Sequence, residues 1–213
     1  MNYKGVIFDL DGVICFTDRF HYLAWKQAVE PLGVYFDEKI NDRLRGVSRE
    51  QSLEIILEKY DGQLSPAEKA ALCERKNDIY KELLKNLSHK DVSDDVMFTL
   101  YELKHRGAKI AIGSSSKNTR FILERLGILE LFDAISDGNG LTKSKPDPEV
   151  FVKAANMLHL SPAKCLVVED AESGIDAGNA GGFTTVGIGV AANYAKTHFK
   201  IKQLSDILRL KTN

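Results

Sequence analysis

Apolar and polar positions along this chain fall into two regimes. The N-terminal run Val6-Ile7-Phe8 is unbroken, as a strand of a parallel sheet covered on both faces should be. Residues 4–8 are therefore expected to form a strand. From about Phe16 to Leu87 the spacing is helical throughout, with charged faces and no convincing strand. Helices are expected around His21–Glu30, over Arg49–Tyr60 and over Pro66–Leu87, the last with Ser65 placed to cap ahead of Pro66. Beyond Asp91 the pattern alternates. Ser93 can cap a helix whose first turn carries Asp94 and Asp95, favourable at the positive end of the dipole, and Gly107 is placed to stop it. There follow a strand (Lys109–Gly113), a helix (Asn118–Leu126, ended by Gly127), a strand (Phe132–Ser136) and a helix (Pro148–Leu158). A strand (Cys165–Val168), a helix (Ser173–Ala180) and a strand (Thr184–Gly187) complete the series.

Repeated strand–helix units imply an α/β fold with a doubly wound parallel sheet, a Rossmann-like core. The helical block after the first strand then reads as an inserted α-helical cap domain. The expected division is a catalytic core of residues 1–15 and 90–213, with the cap at 16–89. No internal repeat or low-complexity segment interrupts either part.

With 213 residues the chain can bury a good core, in one large domain or two unequal ones. Its 29 basic and 30 acidic residues nearly cancel, which argues against a nucleic-acid partner, since that would call for a basic stripe. Cys15, Cys73 and Cys165 are far apart and make no metal-type spacing, so reduced, inert core thiols in a cytoplasmic protein are expected. No apolar run is long enough to span a bilayer, and no sign of secretion or anchoring is seen. A monomer is the default expectation.

Candidate chemistry gathers where the strands end. The first runs into Asp9-Leu10-Asp11-Gly12, and two carboxylates this close repel unless a cation or shared proton intervenes. That points to a metal, an acid/base role, or both. The strand Lys109–Gly113 runs into Ser114-Ser115-Ser116-Lys117-Asn118 before a helix, where hydroxyls and free N–H groups make an anion site. The strand Cys165–Val168 ends in a second acidic pair, Glu169-Asp170, and Lys145 stands in the Pro-bracketed loop Ser144-Lys145-Pro146-Asp147-Pro148. In a parallel sheet these loops share one edge, outside the carboxyl ends of the strands. Carboxylate oxygens suit magnesium, which prefers one or a few carboxylates plus substrate phosphate. Magnesium, Lys145 and Ser114 together would neutralise a phosphoryl group, while one aspartate attacks phosphorus and the other moves a proton.

Each piece alone has an ordinary reading. Acidic pairs after strands are mostly turn residues or caps, the serines could cap a helix, and a single lysine is usually a surface charge. The conjunction of four strand ends, all polar in the same sense, is poorly explained by coincidence.

Asp9-Leu10-Asp11-Gly12, Ser114, Lys145 and Glu169-Asp170 resemble, in order and spacing, the four motifs of the haloacid dehalogenase-like superfamily. The helical block is similar to the cap of its phosphoglucomutase-like branch. Within that branch, four stretches resemble the β-phosphoglucomutase family: His21-Tyr22-Leu23-Ala24-Trp25-Lys26, Gly46-Val47-Ser48-Arg49-Glu50 with Ser52, Arg75-Lys76-Asn77-Asp78, and Ser114 to Asn118. The resemblance implies conversion of β-D-glucose 1-phosphate to glucose 6-phosphate through β-glucose 1,6-bisphosphate. It makes Asp9 the phosphorylated nucleophile and Asp11 the general acid/base. It places Mg2+ on Asp9, the backbone carbonyl of Asp11 and Asp170, with Glu169 close by. Ser114 and Lys145 are to bind the transferring phosphoryl group. Arg49, a bidentate fork for phosphate, is to clamp the distal phosphate with Ser116, Lys117 and Asn118. Lys76 is to reach a sugar hydroxyl, and His21 to partner Asp11 or a hydroxyl. Gly46 and Val47 are to admit the sugar, with Trp25, Ser48, Ser52 and Ser115 completing the contacts. By their residue types alone, His21 and Trp25, one helical turn apart, are more often packing partners, and Arg49 a solvated charge at a helix start.

One departure is notable. Asp94-Asp95 stands where the family usually has Pro-Gly, so a stiff hinge element is gone, which leaves the rate and equilibrium of cap closure, and with them turnover, open. Ser115 stands where alanine is common. Two rival readings keep the fold: a sugar-phosphate phosphatase, with water as acceptor, and a non-catalytic sugar-phosphate sensor. The distal clamp speaks against the first and the complete acid set against the second.

Overall fold

A computed structural model describes residues 3–44 and 47–210. Six parallel strands form a single sheet in the order β3-β2-β1-β4-β5-β6. They are β1 (Gly5–Phe8), β2 (Lys109–Gly113), β3 (Ala134–Ser136), β4 (Cys165–Glu169), β5 (Thr184–Gly187) and β6 (Phe199–Lys200). β6 is absent from the sequence-based expectation, because its two residues carry no periodicity and form a strand only by pairing with Val186 and Gly187. β3 is shorter than expected at its start. Phe132 closes a 3-10 turn, and Asp133 meets β2 by exchanging its backbone N–H and its carboxylate with Ile110.

Eight α-helices accompany the sheet among the described residues: α1 (Asp18–Val29), α2 (Glu38–Asp42), α3 (Arg49–Ile56), α4 (Pro66–Leu84), α5 (Asp94–His105), α6 (Thr119–Leu126), α7 (Glu149–Met157) and α8 (Glu172–Ala180). α3 and α4 end earlier than their apolar spacing suggests. α3 passes into a 3-10 turn at Leu57–Lys59, and after α4 the amides of Asn86 and Leu87 bond three residues back, to Leu83 and Leu84.

The chain divides into two compact units, residues 1–16 with 88–213, and residues 17–87. In the larger unit, Ile7, Ala111 and Val167 pack with Val150, Phe151, Ala154 and Ala155 of α7 and Ala177 of α8. The alternate residues Val6, Phe8, Ile110, Ile112, Leu166 and Val168 are equally buried. Both faces of the central strands are thus covered, the condition that makes these strands apolar runs. Asp95 does more than favour a helix dipole: its carboxylate accepts from the amides of Leu204 and Ser205 at 2.7 and 3.3 Å, tying the last turn to α5.

The smaller unit is wholly helical among the described residues. α1 lies against α4, and the core holds Trp25, Ala28, Val29, Phe36, Leu53, Ile56 and Cys73. Capping boxes at Ser48 and Ser65 set the starts of α3 and α4. The three cysteines are buried and form no disulfide among the described residues, and no described helix is long and apolar enough to cross a membrane.

Candidate active site

The strand order sets the place of the site. β1 and β4 are neighbours from which the sheet is wound in opposite directions, and ligands of such sheets bind beyond the strand ends at that switch point. In register, Phe8 stands opposite Ile112 on one side and Val168 on the other. The next residue, Asp9, therefore lies between the ends of β2 and β4, and its amide donates to Val168 O at 2.9 Å.

Lys145 joins the two acidic strand ends. Its Nζ donates to Asp9 Oδ1 at 2.7 Å and to Glu169 Oε1 at 2.5 Å, with only 2% of its side chain exposed. The second oxygen of Glu169 accepts from the amides of Asp170 and Ala171, each at 3.0 Å. Burial alone would strip the proton from Lys145, but the facing carboxylates of Asp9 and Glu169 outweigh it and hold the group as ammonium. For Glu169 burial wins. Its carboxyl is pushed up to about 6 by desolvation, against the pull of Lys145 and with a further push from Asp9.

Carboxylate oxygens of Asp9, Glu169 and Asp170 lie within 4.8 Å of one another, a hard donor set that fits a divalent cation such as magnesium. The side chain of Asp11 is outside that set. Asp11 sits in the tight turn after β1, where Ile14 N and Cys15 N return to Leu10 O and Gly12 N reaches Cys15 O. Gly12 has φ +79°, and a Cβ there would lie 2.1 Å from Asp170 Oδ2. The glycine of the first motif thus serves the turn and the approach of Asp170 together.

Beyond β2, Ser114 Oγ accepts from Ser116 N and Ser116 Oγ from Asn118 N, both at 3.2 Å. Ser114 and Asn118 are buried and Lys117 is exposed. The Ser115 hydroxyl is buried without a hydrogen-bond partner among the described residues, a state that costs roughly 1–3 kcal/mol until an acceptor or donor reaches it.

In the helical unit, Lys76 Nζ meets His21 Nδ1 at 2.8 Å and lies over the rings of Tyr80 and Trp25. Burial first, then the charges of Lys76 and Arg49, keeps the His21 pKa well below its ordinary value, so the imidazole is neutral and accepts from the ammonium. Trp25 is 2% exposed, within the apolar core, and Ser52 is buried with its hydroxyl donated to Ser48 O. Arg49 donates to Asn77 Oδ1 at 2.9 Å and to Glu74 Oε1 at 3.2 Å. Val47 and Ser48 are half-buried ahead of α3, and Gly46 lies outside the described residues.

Three supporting residues escape sequence reasoning. Phe151 carries the Lys145 ammonium 4.8 Å above its ring, and Gly113 makes room for that ring, since a Cβ there would lie 2.6 Å from it. Gly174 leaves space for the Glu169 carboxyl group. None of these has a local signal, because each acts through an approach between distant segments.

Residues 6–188 match the model of the haloacid dehalogenase-like hydrolases. The chain belongs to that family. Over 206 residues it is 43% identical to a β-phosphoglucomutase of Bacillus subtilis, covering 96% of this chain and 91% of that protein. It is 30% identical over 187 residues to a phosphorylated carbohydrates phosphatase of Thermotoga maritima, covering 86% and 83%. The crystal structure of a β-phosphoglucomutase from Clostridium difficile superposes with a TM-score of 0.90 at 35% identity, covering 96% of this chain and 93% of that one.

Proposed function

We propose that this chain is a β-phosphoglucomutase, interconverting β-D-glucose 1-phosphate and glucose 6-phosphate through β-glucose 1,6-bisphosphate. The observation that carries the reading is the buried Lys145 bridge between Asp9 and Glu169 at the switch point, in a chain 43% identical to an enzyme of that name. Asp9 is the nucleophile: one carboxylate oxygen forms a bond to phosphorus as the bond from phosphorus to the sugar oxygen breaks. Asp11 gives its proton to the departing oxygen. In the other half-reaction the free hydroxyl of a glucose monophosphate attacks the aspartyl-phosphate, the bond from phosphorus to Asp9 breaks to give the bisphosphate, and Asp11 takes up the hydroxyl proton. Lys145 and the hydroxyl of Ser114 offset the charge of the moving phosphoryl group, the main work of such catalysis. Ser115, whose hydroxyl has no hydrogen-bond partner among the described residues, adds a donor there. Asp9, the carbonyl of Asp11 and Asp170, with Glu169 beside them, would hold Mg2+, and the bound ion would screen the phosphoryl oxygens from the attacking carboxylate.

Residues 16–89 act as the cap. Arg49, with Ser116, Lys117 and Asn118, holds the non-reacting phosphate, and Lys76 and His21 address sugar hydroxyls. Gly46, Val47, Ser48, Ser52 and Trp25 shape the sugar subsite. The chain acts as a monomer in the cytoplasm, a compartment in keeping with buried cysteines that form no disulfide among the described residues.

The phosphatase relative supports a second reading, in which water takes the place of the sugar hydroxyl. One coupled assay tests both. With magnesium, β-glucose 1-phosphate and a trace of β-glucose 1,6-bisphosphate, glucose 6-phosphate in large excess over free phosphate is expected. Phosphate equal to or exceeding glucose 6-phosphate would establish the phosphatase instead.

A further inference from the structure

Lys145 lies in the stretch Leu141–Pro148, which has no helix or strand of its own. Nothing in a regular backbone ladder fixes its Cα, yet its Nζ meets two carboxylates at 2.7 and 2.5 Å. The stretch is held from the first turn of α7. The two oxygens of Glu149 accept from Thr142 N at 3.0 and 3.1 Å, from Thr142 Oγ1 at 2.8 Å and from Lys143 N at 2.8 Å. Lys153, one turn further along α7, donates to Glu149 Oε1 at 2.6 Å and also reaches the carbonyl of Gly140. The Glu149 amide in turn donates to Asp147 Oδ1 at 3.0 Å, and Asp147 N to Ser144 O at 3.0 Å.

We propose that Glu149 is the positioning residue for Lys145: its carboxylate clamps the two backbone amides just before Ser144-Lys145 onto α7, the helix whose Phe151 seats the ammonium. One helical turn then fixes the lysine twice, at the backbone through Glu149 and at the head group through Phe151. A backbone left free by an ångström costs a phosphoryl-transfer site far more than it costs the fold. Hydrogen bonds from Lys153 first, then from Thr142, push the Glu149 carboxyl down to about 2, so the clamp stays charged at any working pH. The ordinary alternative is a helix-start acid paired with Lys153, which would supply stability alone.

The kinetic part of this inference rests on the function proposed above; the positional part does not. Reductive methylation of the folded protein with formaldehyde and cyanoborohydride, read by peptide mass spectrometry, reports directly on release of the Lys145 amine. In Glu149→Ala, Lys145 labelling should rise about fivefold or more against the other lysines, since a freed loop opens more often. In Lys153→Met, which spares the Glu149 bonds to residues 142 and 143, it should stay within about twofold. Mutase kcat of Glu149→Ala should fall about tenfold or more, with KM little changed. Unchanged Lys145 labelling in Glu149→Ala, whatever its melting temperature, would overturn the proposal. Should that variant not fold, Glu149→Gln gives the same comparison with the same overturning result. A wild-type protein that interconverts no glucose phosphates would refute the functional reading and leave the labelling result to decide this one.

Discussion

Gly174 and the carboxyl group of Glu169 occupy the same small space at the start of α8: a Cβ on Gly174 would lie 1.9 Å from both Cδ and Oε1 of Glu169. The first methyl group added there must evict the carboxylate that receives Lys145. Glu169 is fully enclosed and cannot swing into solvent, so the strain is not relieved at the surface. Gly174→Ala is expected to lose about 1–3 kcal/mol of stability and to weaken magnesium binding, because Glu169 and Asp170 share one turn of backbone. Chemical denaturation and a magnesium titration by calorimetry measure both; a variant with wild-type stability and metal affinity would show that Glu169 has room the structure does not reveal.

Removing Lys145 leaves two buried carboxylates facing each other. Breaking one side of such a buried pair costs roughly 3–5 kcal/mol, because the remaining charges lose their partner in a poor dielectric. Lys145→Ala should therefore be markedly less stable than wild type in metal-free buffer at neutral pH. Magnesium, bound among the same carboxylates, should restore a larger share of stability to the variant than it adds to the wild type. Equal stabilisation of both proteins by magnesium would mean that the ion and the lysine do not share charge.

Most of the catalytic edge is legible in the sequence, because a parallel sheet turns position along a strand into position in space. Once Val6-Ile7-Phe8, Ile110-Ala111-Ile112 and Leu166-Val167-Val168 are read as buried strands, Asp9, Ser114 and Glu169 must emerge on one edge. The Pro-bracketed loop of Lys145 joins them by topology. Residues that seat these groups are another matter. Gly113, Phe151 and Gly174 look like core glycines and a core aromatic, and only the packing shows what each touches. Glu149 and Lys153 read locally as an i,i+4 surface pair, whereas the bonds from Thr142 and Lys143 are what give the carboxylate its further use. Trp25 shows the opposite ambiguity: its motif suggests the substrate, and its side chain is enclosed in the helical core.

Arg49 separates the two functional readings. Its guanidinium is already oriented by Asn77 and Glu74, so little rotamer entropy remains to be lost when it meets a phosphate. A mutase needs that second anion site and a phosphatase acting on a small ester does not. Arg49→Ala is expected to raise the KM for β-glucose 1,6-bisphosphate about tenfold or more while hydrolysis of a small phosphate ester stays within about twofold. Arg49→Lys should resemble the alanine variant more than the wild type, since an ammonium cannot reproduce the planar fork. Equal losses on both substrates would remove the distal-phosphate role.

His21 gives a pH dependence whose sign follows from its surroundings. Enclosed beside Lys76, it resists protonation, so its pKa in the folded protein is below the ordinary 6.5. The unfolded chain therefore binds the proton first as the pH drops. Folding stability contributed by the neutral imidazole is fully present above about pH 6.5 and is lost progressively below it, by at most about 1.4 kcal/mol per pH unit for one proton. In His21→Gln, which keeps an acceptor for Lys76 but cannot titrate, the decline in stability between pH 6.5 and 5 should be shallower than in wild type. Denaturant midpoints for both proteins across that range measure the difference. Parallel curves would mean that His21 takes up its proton in the folded state as readily as in the unfolded chain, and that the ammonium of Lys76 moves aside to allow it.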